Sequence, residues 1–193
     1  MKTILTALLV SAIVTPALCL QDTLTDPLKN DTVKNRKIRH YEREMIITGS
    51  PEEVFAFMDD IRNTGKHMTE NSGAMAGSKL QIHWLSENKT GLGTKYRWTG
   101  KVAGMKMDFT VEVSKWNEGK EKIWGTIGDA KMIVIDWFEM HLITTPEKDG
   151  KTKAKLGIHY TKHRGFGGFL FGKSYAKWCV KSMLKDTRKH FKK

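Results

Sequence analysis

The stretch Gly49-Ser50-Pro51-Glu52-Glu53-Val54-Phe55 decides the fold of this chain. Ser50 can accept hydrogen bonds from the first free amides of a helix, and Pro51 fits the first turn, where its missing N–H costs nothing. Glu53 stands three residues after Ser50 and completes a capping box. Val54, Phe55, Phe57, Met58 and Ile61 then recur at helical spacing, and the acidic pair Asp59-Asp60 closes the segment. Upstream, residues 36–48 read as one strand that stops at Gly49. The nucleus is therefore a strand, a sharp turn and a strongly specified short helix.

Downstream, residues 63–78 are rich in Gly, Ser, Thr and Met, which predicts a short second helix and a loop. From Lys79 the hydrophobic period changes to two. Leu80, Ile82 and Trp84 alternate with Gln81 and His83; Tyr96, Trp98 and Val102 alternate with Lys95, Arg97 and Lys101. Met105, Met107, Phe109, Val111 and Val113 alternate with polar residues over nine positions, the pattern of a half-buried antiparallel strand. Turns at 117–119, 128–129 and 146–150 separate three more strands, around Ile123, over 132–144, and around Ala154 to Tyr160. A final amphipathic helix is expected from about Gly172. The order is one strand, two short helices, six strands and one long helix. It predicts an α+β fold in which a curved seven-stranded antiparallel sheet wraps a long C-terminal helix.

The β-(Gly49 to Phe55)-α unit, the Asp59-Asp60 pair, the strand meander and the terminal helix together resemble the polyketide-cyclase/START-like superfamily. Its helix-grip fold is shared with pollen-allergen-type proteins. The resemblance covers residues 36–193, and the Gly/Phe-rich segment 161–172 is similar to many bacterial members. Members include lipid and sterol carriers, aromatase/cyclases, quinone-binding proteins, hormone receptors and hydrolase-like proteins. The resemblance implies a hydrophobic cavity between sheet and helix and leaves the reaction, if any, open.

On that frame the inward-facing set is Trp84, Tyr96, Trp98, Met107, Phe109, Val111, Ile123, Met132, Phe138, Met140, Ile158 and Tyr160 from the strands. Phe57, Met58, Phe169, Val180 and Met183 join it from the helices. The chain has ten Met, a flexible and polarizable side chain suited to a cavity that adapts to its ligand. Asp136, among Met132, Val134, Phe138 and Met140, is the candidate polar anchor for a ligand, or the general base of an enzyme, because a carboxylate on an apolar face needs a partner or the cavity mouth. A bulge that turns Asp136 outward is the competing reading. Tyr160 could hydrogen-bond a ligand carbonyl. His83, His141 and His159 fall on the exterior face. No metal-ligand spacing and no cofactor motif is present. Gly165-Phe166-Gly167-Gly168 lacks the Lys-Ser/Thr ending of a phosphate loop, and Cys179 reads as a small core hydrophobe.

Two features lie outside the fold. Lys2, the apolar run 4–14 and Thr15-Pro16-Ala17-Leu18-Cys19 have the layout of a secretory signal peptide, so residues 1–19 are expected to be cleaved after Ala17 or Cys19. An uncleaved membrane tether is the alternative. Residues 20–35 read as a polar linker. The net charge of +12 is also unevenly placed. Residues 151–193 hold 13 basic side chains and one acid, Asp186, while residues 1–150 balance. Lys173, Lys177, Lys181, Lys185 and Lys189 recur along the last helix and suit transient contact with an anionic membrane surface. Nucleic acid would satisfy the same charges, but export argues against it. The sequence thus predicts an exported, monomeric carrier of a hydrophobic small molecule (lipid, sterol-like or polyketide-like) with a cationic exterior helix. A cyclase- or hydrolase-like enzyme on the same fold is the alternative.

Overall fold

The computed structural model describes residues 36–69 and 78–192. The expected signal peptide, the linker and most of the loop before the second strand lie outside the described residues. Strand β1 (Arg39–Thr48) leads into α1 (Pro51–Asp59), α2 (Ile61–Thr64) and α3 (Lys66–Thr69). Six strands follow: β2 (Leu80–Trp84), β3 (Lys95–Val102), β4 (Met105–Asn117), β5 (Glu121–Lys131), β6 (Ile135–Glu147) and β7 (Lys151–Lys162). Helix α4 (Phe166–His190) ends the fold.

The strands form one antiparallel sheet in the order β1-β7-β6-β5-β4-β3-β2. The meander β2 to β7 is joined by short turns, and β1 closes its edge against β7 in register, Arg39 opposite Tyr160 and Thr48 opposite Lys151. This is the expected helix-grip architecture. It differs in carrying three short helices after β1 where two were expected, and in an α4 that starts six residues earlier than the sequence pattern suggested.

The capping box forms as read: Ser50 Oγ accepts from the Glu53 amide at 3.2 Å, and Glu53 Oε2 accepts from the Ser50 amide at 2.9 Å. Val54, Phe55 and Met58 of α1 are fully buried against the sheet, each contributing about 1.5–3 kcal/mol by leaving water. The early start of α4 explains its Gly-rich opening. A Cβ on Gly168 would lie 2.1 Å from the His163 carbonyl oxygen, and one on Gly172 would lie 2.9 Å from that of Val134. These glycines let the first turns of α4 press onto the end of β7 and the β5–β6 connection; β7 ends only three residues before Gly165.

Two register shifts decide which side chains face α4. In β4 the pairing with β5 shifts between Val113 and Lys115, so Trp116 opposes Lys122 and Val113 opposes Trp124. Lys122 and Trp124 therefore point inward. Ile123, expected inside, points to the outer face, where it opposes Lys115 and His141. In β6 the register shifts between Ile135 and Trp137, which leaves Asp136 at a bulge.

Candidate functional site

Sheet, short helices and α4 enclose an inner cavity of about 50 Å³, room for no more than a few waters. Of the expected residues, Tyr96 and Trp98 of β3, Phe109 and Val111 of β4, and Phe138 and Met140 of β6 line it. So do Ile158 of β7, Met132 of the β5–β6 connection and Met183 of α4.

The remaining expected residues lie elsewhere. Met58, Met107, Tyr160 and Val180 are buried in the surrounding core. Phe57 stacks on His190 with ring centroids 4.2 Å apart, which pins α1 to the end of α4. Trp84 stands edge-on to Tyr96 at 5.7 Å, one layer behind the cavity wall. Asp136 is not a cavity anchor: at its bulge it forms an ion pair with Arg36 and lies 3.7 Å from His163 Nε2. Position 169 lies in the first turns of α4; its side chain is outside the described residues. His83, His141 and His159 do fall on the outer face, His83 against Thr99 and His141 against Glu121.

The wall also holds residues outside the expected inward-facing set. Ile61, Thr64, His67 and Met68 come from α2 and α3, Trp124 from β5, and Tyr175 and Cys179 from α4. A helical signal was available for the last two, since Tyr175, Cys179 and Met183 recur every fourth residue. The polar groups here are held in neutral form. His67 Nδ1 lies 2.9 Å from the Thr64 carbonyl, and burial drives the imidazole down to about 4. Burial pushes the Cys179 thiol up to about 12 and raises Tyr175 well above its ordinary value, with the neighbouring thiol adding to the effect. A protonated thiol and a neutral imidazole can donate or accept hydrogen bonds, but neither is an activated nucleophile.

A second, larger space opens on the other side of Tyr175. It is a groove of about 360 Å³ between the β3–β4 hairpin (Val102, Ala103, Met105), the β5–β6 connection (Ile133, Val134) and α4 (Phe171, Ser174, Tyr175, Trp178). Tyr175 lines both spaces. Trp178 packs beside it at 5.7 Å and meets the edge of His67 at 5.0 Å. The three rings form the partition between groove and cavity. The sheet and α4 grip each other more tightly than the sequence suggested, and most of the open volume is displaced to the rim.

Charge on α4 is arranged in two flanks. Lys177 turns toward β1, its Nζ 5.6 Å from the Tyr41 ring. Lys173, Lys181, Lys185 and Lys189 are exposed and make no ion pair among the described residues. Among the described residues no helix is long and apolar enough to cross a membrane, and no three His, Cys, Asp or Glu side chains gather to hold a metal ion.

No family model matches the chain, and no curated protein does. Solved structures do. A protein from Thermus thermophilus is 18% identical with a TM-score of 0.57, covering 79% of this chain and 97% of that one. Norcoclaurine synthase from Thalictrum flavum is 13% identical with a TM-score of 0.56, covering 98% and 97%. A START superfamily protein from Mycobacterium smegmatis is 10% identical with a TM-score of 0.57, covering 79% and 96%. At such identities the likeness speaks for architecture: the chain has the helix-grip fold of START-like proteins.

Proposed function

We propose that this chain is an exported carrier of a hydrophobic small molecule, which lies in the groove between the β3–β4 hairpin and α4. One observation supports this most: an apolar groove of about 360 Å³, within the size range of small-molecule sites, separated by a ring partition from a second apolar space. Its walls are aliphatic and aromatic, with Ser174, Tyr175 and Trp178 as the groups able to hydrogen-bond. That chemistry favours a largely apolar molecule with one or two polar substituents, such as a lipid, sterol-like or polyketide-like compound. Export rests on the signal-peptide layout of residues 1–19.

Native mass spectrometry of gently purified protein should reveal a co-purifying apolar molecule. An apolar fluorescent probe such as 1-anilinonaphthalene-8-sulfonate should bind the emptied protein. Ser174→Trp, which fills the groove from an exposed position, should weaken the probe at least tenfold. Unchanged probe affinity in Ser174→Trp, or no binding in the wild type, would overturn the groove as the site.

A further inference from the structure

The same end of the molecule carries a feature beyond ligand binding. Along α4, Phe171, Ser174, Trp178, Lys181, Lys185 and Lys189 recur at steps of three or four and so share one side of the helix. The side is divided lengthwise. Its N-terminal half is apolar and its C-terminal half is cationic. Phe171 is 57% exposed, and Met105 across the groove on the hairpin is 50% exposed. Leu170 is 45% exposed beside them.

Large apolar side chains held out in water at the rim of an apolar groove are costly unless something covers them. The charges around them indicate what covers them. Lys101 and Lys106 face each other on one rung of the hairpin, one pair before Met105. Lys181, Lys185 and Lys189 are exposed without ion pairs among the described residues. Asp108, the acid near the hairpin, is shared: Arg97 holds it at 2.7 Å and Lys106 Nζ lies 3.5 Å from its other oxygen. Apolar tips flanked by exposed lysines, those of α4 without an ion pair among the described residues, match the interfacial region of an anionic bilayer, where side chains enter the acyl boundary and cations meet headgroups.

We infer that the β3–β4 hairpin and this side of α4 form a docking surface for anionic membranes, with Met105 and Phe171 inserted and Lys181, Lys185 and Lys189 lying on the headgroups. The surface differs from the lysine stripe expected from sequence. It omits Lys173 and Lys177, the latter turned to Tyr41, and it adds the two exposed apolar tips. It places the mouth of the groove against the lipid, so a hydrophobic molecule could pass between bilayer and protein without crossing water. The docking itself goes beyond the carrier reading and does not depend on the groove being filled.

The test labels Met105→Cys with an environment-sensitive fluorophore in the full chain carrying Cys19→Ser; buried Cys179 stays unlabelled. Vesicles with roughly one third phosphatidylserine or phosphatidylglycerol should shift the emission to the blue, and pure phosphatidylcholine should not. A label at Glu118→Cys, in the β4–β5 turn, should not respond. Lys181→Glu/Lys185→Glu/Lys189→Glu should weaken the response at least tenfold, while Lys148→Glu/Lys151→Glu should leave it within about twofold. No shift at position 105 with anionic vesicles overturns the proposal, even if the chain binds vesicles through its N-terminus. An equal shift with phosphatidylcholine overturns the role of charge. A shift that grows with protein concentration without vesicles assigns the surface to a second copy instead. Loss of vesicle response with probe binding intact defeats docking alone; the reverse defeats the carrier reading alone.

Discussion

Lys122 Nζ lies 2.6 Å from Asp59 Oδ1 and 2.7 Å from the Asp59 carbonyl oxygen, inside the fold, with both residues under 5% exposed. Trp116 Nε1 donates to the other carboxylate oxygen at 3.0 Å, and the Trp124 ring covers the ammonium at 4.9 Å. The cluster ties the end of α1 to β4 and β5. Neither charged group lines the cavity. The lysine is engaged on several sides, which makes it a structural clamp.

Removing one partner of this clamp leaves a buried charge uncompensated. Asp59→Asn and Lys122→Met should each destabilise the protein by about 3–5 kcal/mol, measured by urea unfolding. The double variant Asp59→Leu/Lys122→Met should recover much of that loss, because it leaves no charge behind. A double variant as unstable as the worse single one would show that the hydrogen bonds to backbone and Trp116 carry the energy instead.

The clamp also shows how far the sequence could be read. The capping box at Ser50, the two-residue periods of β3 and β4 and the lysine spacing in α4 are local patterns, and local patterns survive in the sequence. A period of two sets Ile123, Gly125 and Ile127 on one face of β5 and Lys122, Trp124 and Thr126 on the other, but which face meets α4 is decided by pairing, where Ile127 opposes Thr110 and Trp124 opposes Val113. Asp136 is displaced by a bulge in β6, which is likewise a property of strand pairing. Most of the cavity wall contributed by the strands was legible, since alternation alone puts Tyr96, Trp98, Phe109 and Val111 on one face. Cys179 was legible as a core position of α4; His67 was not, because its position depends on how the short helices seat on α4. The groove was the least legible feature. It is made by two loops and one helix meeting, and no single segment encodes it.

The hairpin at the groove rim carries a stored strain. Ala103 adopts φ 49° and Gly104 φ 79° in the turn between β3 and β4. An alanine in the left-handed region costs energy that glycine avoids. Ala103→Gly should therefore stabilise the protein by about 0.5 kcal/mol or more, since relief of strain exceeds the added freedom of the unfolded chain. Thermal unfolding at fixed pH measures it, and a destabilised variant would contradict the turn geometry.

On the outer face, Glu139 of β6 is 5% exposed and opposite His159, which stacks on His40 at 4.4 Å. Burial raises the Glu139 carboxyl to about 7. Its folded value exceeds its unfolded one, so the folded state holds the extra proton between about pH 4.3 and 7. Stability should fall as pH rises through that window, by at most about 4 kcal/mol from this group. Glu139→Gln should be little changed at pH 5 and more stable than wild type at pH 8. His67, driven down to about 4, has the opposite sign: it costs stability as pH drops below about 6.5. Comparing wild type with Glu139→Gln at each pH cancels the histidines to first order. Equal unfolding midpoints for the two proteins at pH 8 would refute the buried carboxylate.

Tyr175 decides whether groove and cavity act as one site or two. Its ring separates a space of about 360 Å³ from one of about 50 Å³, so a rigid ligand fitting the groove stops at the ring. Tyr175→Ala opens the partition at the expense of packing, with a stability loss of about 3 kcal/mol typical of truncating a large packed side chain. Long flexible probes, such as fatty-acid fluorophores, should then bind several-fold more tightly, because their tails reach Met183 and Phe138. Compact probes gain nothing there and should bind as before. Tyr175→Phe keeps the ring that forms the partition, so its ratio of long-probe to compact-probe affinity should match wild type. If Tyr175→Ala and wild type bind long and compact probes in the same ratio, the partition is already open in solution and the two spaces serve as a single site.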